Sequence, residues 1–251
     1  MIPQPNPINE RTTVRILAVT PISVPDQELL RRQRRYDALA PAGVEVQLHN
    51  LGGRPTGVPH ALETDDDVAA SEAAVTGWFR SAVDDGQAEE FDAFLPDCVL
   101  DPGVGSGTAD LPVPVLGLLR LNLGVLGGAG GSISAVARNQ AIARELQRKA
   151  GEYGPVGVGP VTVLGLSLED IADDDAWTAA VAAALPKLPA GYAINACSAV
   201  NLGQLPAGGP ALVDPTALAL RLIGVLAGAG AGAGVAPSVK APGDAPAGAT
   251  P

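Results

Sequence analysis

Short runs of apolar residues with a two-residue period alternate along the chain with longer stretches of helical period, the pattern of a parallel sheet covered by helices. Val14 to Thr20 is a β-branched run ended by Pro21. From Asp26 to Leu39 a polar, Arg-rich stretch carries Leu29, Leu30 and Tyr36 at positions suited to one helical face. Gly43 to His49 alternates and reads as a second strand, and Thr64 is placed to cap a helix whose first turn is Asp65-Asp66-Asp67 and whose body runs Val68 to Val83. Asp92 to Val99 reads as a third strand, in which Pro96 favours an irregular ending.

A similar succession follows Pro112: strand Val113 to Gly117, helix Leu118 to Leu126, strand Ser132 to Ala137 and helix Asn139 to Tyr153, closed by Gly154-Pro155. Pro160 to Leu164 is another strand, Ser167 opens an Ala-rich helix reaching Leu185-Pro186, and Ala190 to Ala196 is the last strand. Asp214-Pro215 starts a closing helix, Thr216 to Leu226. The expected organisation is a flexible start (1–12), a first lobe (13–111), a second lobe (112–209), a closing helix (210–227) and a disordered Ala/Gly/Pro tail (228–251). The Gly-rich run at 127–131 precedes a strand, whereas a phosphate-binding loop follows one, so a tight turn is the simpler reading.

Composition narrows the functional classes. The net charge of −11 leaves no basic field for nucleic acid. No run reaches the ~18 apolar residues of a bilayer span, and the amino terminus lacks a signal-peptide pattern, so neither nucleic acid nor membrane is an expected partner and the cytoplasm is the expected compartment. Only two histidines occur, His49 and His60, and the acidic runs at 65–67 and 173–175 read as helix starts, so no metal is assigned.

Cys98 and Cys197 change the picture. Each lies at the carboxyl end of a predicted strand, one in each of two similar halves, and ligands of open α/β sheets bind at that end. Moving a proton from one face of a planar carbon centre to the other needs a base and an acid on opposite sides, and a thiolate with a thiol can serve. Backbone N–H groups of the segments after each cysteine, at Val99 and at Ser198, can hold a substrate carboxylate or enolate oxygen. Asp101 belongs to an Asp-Pro-Gly turn, common loop chemistry, and its charge would raise a nearby thiol's pKa.

FDAFLPDCVLDPG (91–103) resembles the first cysteine segment of hydantoin racemases, AINACSAVNLG (193–203) their second, and PALVDPTALAL (210–220) the start of their closing helix. With ILAVTP near the amino terminus, the resemblance to the aspartate/glutamate/hydantoin racemase superfamily covers about residues 14 to 226. It implies two pseudo-symmetric flavodoxin-like lobes with parallel sheets, an active site in the cleft between them, and a final helix returning to the first lobe. It further implies a homo-oligomer, a small-molecule substrate with a carbonyl or carboxylate, no cofactor, and proton transfer by Cys98 and Cys197. The pairing favours racemisation or epimerisation at a carbon α to a carbonyl. The alternatives are an isomerase, decarboxylase or other lyase using one cysteine, or a binding scaffold without chemistry.

Two positions depart from the family pattern. Ile22 stands in Thr20-Pro21-Ile22-Ser23 where the family has an asparagine, and Ala137-Arg138 replaces adjacent hydroxyl residues. The substrate contacts expected are therefore Ile22, Val99, Asp101, Ala137, Arg138 and Ser198. Arg138 has two readings, a bidentate anion clamp or a helix-start residue with its side chain in water.

Overall fold

The computed structural model describes residues 13–52, 57–171, 173–203, 205 and 208–233. The first sheet has the order β2-β1-β3, all parallel, from β1 (Val14–Val19), β2 (Val44–His49) and β3 (Ala93–Pro96). A fourth, strand-like segment joins its edge: Phe94 N–H donates to Pro114 O at 2.9 Å and Leu116 N–H donates to Phe94 O at 2.8 Å. Val113 to Gly117, expected to open the second lobe, thus pairs with the first. Strand partnership is a long-range property that local alternation does not encode.

The second sheet repeats the order as β5-β4-β6-β7, again parallel, from β4 (Ile133–Ala137), β5 (Val161–Val163), β6 (Tyr192–Asn195) and β7 (Ala211–Val213). β7 adds to the strands expected from the sequence, because three residues after Gly208-Gly209-Pro210 are too short to show a period. The α/β class with two parallel sheets is as the sequence indicated.

Caps explain most helix boundaries. α1 spans Asp26–Leu39, and α2 spans Asp65–Asp84 behind a capping box in which Thr64 Oγ1 accepts from Asp67 N–H and Asp67 Oδ2 accepts from Thr64 N–H. α3 (Leu118–Gly128) follows the edge segment, and α4 (Gln140–Glu152) is capped by Asn139. The single helix expected from Ser167 is two, α5 (Leu168–Ile171) and α6 (Asp174–Ala184), because Asp173 starts afresh by accepting from the N–H groups of Asp175 and Ala176. α7 runs Pro215–Ala233, past the expected boundary at 227. Alanine alternates with glycine there, so local propensity is weak, but no proline intervenes before Pro237. Residues 1–12 and 234–251, expected to be flexible, lie outside the described residues.

Each sheet is covered by a helix that follows the other. α3 leaves the edge of the first sheet, yet Leu119, Leu123 and Leu126 pack with Ile133 and Ala135 of β4. α7 leaves β7, yet Ala219, Leu220 and Ile223 pack with Ile16 and Ala18 of β1 and Val44 and Val46 of β2. This exchange fixes the lobes against each other, and Asn122 Nδ2 seals it by donating to Pro215 O at 2.9 Å. Among the described residues, no helix is long and apolar enough to cross a membrane.

Candidate active site

β3 ends at Pro96 and β6 at Asn195, so Cys98 and Cys197 each stand two residues beyond equivalent central strands. Both thiols are free and both line one open pocket, about 70 Å³ in volume, at the carboxyl ends of the two sheets. Its walls come from the first lobe at Ile22 and Leu62 and from the second at Arg138, Ile142, Leu168 and Ile171.

The backbone treats the two sulfurs alike. Leu100 N–H hydrogen-bonds Cys98 and Ala199 N–H hydrogen-bonds Cys197, in each case from two residues further on. Burial raises both thiols above the ordinary range, because a thiolate loses its hydration there. The charges differ. Asp97 and Asp101 push Cys98 higher still, whereas at Cys197 the rise from burial and from Asp97 is countered by Arg32 and Arg138.

Helix α1 ties the two cysteine loops together. Arg32 Nη1 donates to Asp97 Oδ2 at 3.0 Å and Tyr36 donates to Asp97 Oδ1 at 2.9 Å, while Arg32 Nε also pairs with Glu28. Across the lobe junction, Arg31 Nη2 reaches Ala199 O at 2.6 Å and Arg35 Nε reaches Ser198 O at 3.0 Å. Arg35 also donates to Asn201 Oδ1 at 2.9 Å and to Asp214 Oδ2 at 2.6 Å. The Ser198 hydroxyl donates to Asp97 O at 2.9 Å, joining one cysteine loop directly to the other.

Sequence reasoning missed Asp97 and the α1 residues, although a signal was there. Leu29, Arg32 and Tyr36 follow the i, i+3, i+7 spacing of one helical face, which puts a cation on the buried side.

Of the expected substrate contacts, Ile22, Val99, Arg138 and Ser198 line the pocket with the two cysteines. Asp101 and Ala137 do not. Asp101 is fully buried, and its carboxylate accepts from the N–H groups of Leu119 and Arg120, both at 2.9 Å, so it caps α3. Gly117 makes room for it, since a Cβ there would lie 2.3 Å from Asp101 Oδ2. Burial pushes this carboxyl up to about 7 against the two donors. Ala137 is fully buried in the core of the second sheet. Arg138 fits neither reading: it is buried, and its guanidinium is paired with Glu63. Among the described residues, no group of three or more His, Cys, Asp or Glu side chains is gathered for a metal ion.

No family model and no curated protein sequence matches the chain. Solved structures do match in fold. The allantoin racemase of Klebsiella pneumoniae is 16% identical with a TM-score of 0.67, over 87% of this chain and 89% of that one. The allantoin racemase of Pseudomonas fluorescens is 18% identical with a TM-score of 0.66, over 86% of this chain and 92% of that one. A glutamate racemase from Thermus thermophilus, in complex with β-chloro-D-alanine, is 16% identical with a TM-score of 0.54, over 88% and 82% of the two chains. The chain therefore shares the two-lobed α/β fold of these racemases.

Proposed function

We propose that the chain is a cofactor-independent racemase or epimerase acting at a carbon α to a carbonyl, with Cys98 and Cys197 as the opposed acid and base. One observation carries the reading: two free thiols, each two residues past the end of an equivalent strand, line one pocket. The thiolate of one cysteine removes the α-proton, negative charge moves to the carbonyl oxygen, and the thiol of the other protonates the planar carbon from the opposite face. Arg32 and Arg138 partly offset burial and Asp97 at Cys197, whereas burial, Asp97 and Asp101 all raise Cys98, so Cys197 is the more readily ionised of the two thiols and the better candidate base. Backbone N–H groups of the two loops are the donors at hand for the developing oxyanion. The working protein is a cytoplasmic homo-oligomer acting on a small carbonyl or carboxylate compound.

Polarimetry on hydantoins and amino acids, with Cys98→Ser and Cys197→Ser compared with the native protein, tests the reading. Each replacement is expected to lower kcat for interconversion by about 10²- to 10⁴-fold, the usual contribution of a general acid or base. Native-like interconversion by either variant excludes the two-cysteine mechanism.

A further inference from the structure

Apart from the thiols, the pocket's polar side chains are already engaged. Arg32 is held by Glu28 and Asp97, Asp97 by Arg32 and Tyr36, and Ser198 by the carbonyl of Asp97. Arg138 is the cation that would otherwise suit an anionic substrate. Its side chain is 3% exposed, Nη1 lies 2.6 Å from Glu63 Oε1, and Nη2 donates to Leu62 O at 2.8 Å.

The pair crosses the cleft. Leu62 and Glu63 precede α2 in the first lobe, while Arg138 and Asn139 follow β4 in the second. Asn139 Nδ2 holds the same two groups, at 2.7 Å to Leu62 O and 3.1 Å to Glu63 Oε2. Glu63 thus sits where a substrate carboxylate would sit on a guanidinium, and its side chain is 48% exposed. Hydrocarbon supplies most of the remaining wall, from Ile22, Leu62, Ile142, Leu168 and Ile171.

Resting on the racemase reading, we infer that Glu63 determines specificity. By occupying Arg138 it converts an anion clamp into a neutral wall, and the pocket selects carbon acids whose α-substituent is an uncharged hydrocarbon. A carboxylate or ureido substituent finds only groups already hydrogen-bonded, and an unpaired buried polar group costs about 1–3 kcal/mol, or about 5- to 150-fold in kcat/KM.

The test is Cα–H exchange in D₂O, followed by NMR, on two matched sets. The first is 5-isobutylhydantoin, allantoin with its ureido substituent, and 5-carboxymethylhydantoin; the second is leucine and glutamate. The native protein is expected to favour the isobutyl compound of its set at least ~10-fold over the polar ones. Glu63→Gln, which removes the competing charge, is expected to raise the carboxymethyl-to-isobutyl ratio of kcat/KM by ~10-fold or more, a change that a merely structural loss would not produce. Preference of the native protein for allantoin or a carboxylate substituent overturns the inference while leaving the racemase reading intact, and so does an unchanged ratio in a folded Glu63→Gln. Should that variant not fold, the native preferences decide. Silence across both sets overturns the racemase reading itself.

Discussion

The loop after β3 carries Asp97 immediately before its cysteine, and the loop after β6 carries Ala196 at the same place. Three residues beyond the cysteines the contrast returns, with Asp101 in one loop and Val200 in the other. The backbone is otherwise matched, down to the N–H group that bonds each sulfur from two residues on. A pseudo-symmetric fold therefore supports an asymmetric charge distribution. Asp97 raises both thiols, but only Cys98 is also raised by Asp101 and only Cys197 is lowered by Arg32 and Arg138. Such asymmetry makes one thiol harder to ionise than the other, without altering where either one stands.

The sharpest way to break the comparison is to release one loop alone. Arg35, nearly buried, holds Ser198 O, Asn201 and Asp214, all on the Cys197 side. Arg35→Ala is expected to lower stability by about 3 kcal/mol, the scale of breaking a buried ion pair, measured by urea denaturation. Cys197 should become more open to alkylation in this variant while Cys98 stays as it was.

Asp101 gives a second handle, through pH. Its carboxyl is raised to about 7 in the folded chain from an ordinary 3.8. Between these values the native state holds a proton that the unfolded chain has lost. This contribution is therefore full below about pH 4 and fades as pH rises through 7, with a slope of at most about 1.4 kcal/mol per pH unit. Asp101→Asn is expected to flatten that part of the stability-versus-pH curve, read from unfolding midpoints. A slope identical to that of the native protein would remove Asp101 from the account.

The smallest expected effect is on thiol reactivity. Iodoacetamide is expected to label Cys197 ~10-fold faster than Cys98 at pH 8, as read by peptide mass spectrometry, because the thiolate is the nucleophile. Both rates should keep rising above pH 9, since burial raises both thiols. Equal rates would mean that the charge contrast does not reach the sulfurs.

Local signals carried much of this architecture. The bounds of α1 follow from its polar periodicity, Thr64 announces α2, and both cysteines stand at strand ends as their β-branched or apolar approaches suggest. What local pattern could not supply was partnership. The segment at 113–116 looks like any short strand, and only the sheet it joins tells which lobe owns it. Asp173 breaks a continuous Ala-rich stretch because a second cap competes with helix propagation. Arginine misled in a different way: long cations are usually exposed, yet Arg32, Arg35 and Arg138 are buried with acceptors drawn from distant parts of the chain. Motif position does not reveal that the side chain of Asp101 turns to a helix end and that of Ala137 into a sheet core.

The opposed-cysteine account meets its most direct test in the two enantiomers of whichever hydantoin turns over fastest, each incubated in D₂O with the native protein, Cys98→Ser and Cys197→Ser. Native protein should interconvert the enantiomers with deuterium entering the inverted product. Each variant should lose interconversion, and any residual exchange should favour opposite enantiomers in the two variants, since each keeps a thiol on a different face. Interconversion at the native rate by either variant, or residual exchange on the same enantiomer in both, would contradict two bases acting from opposite sides.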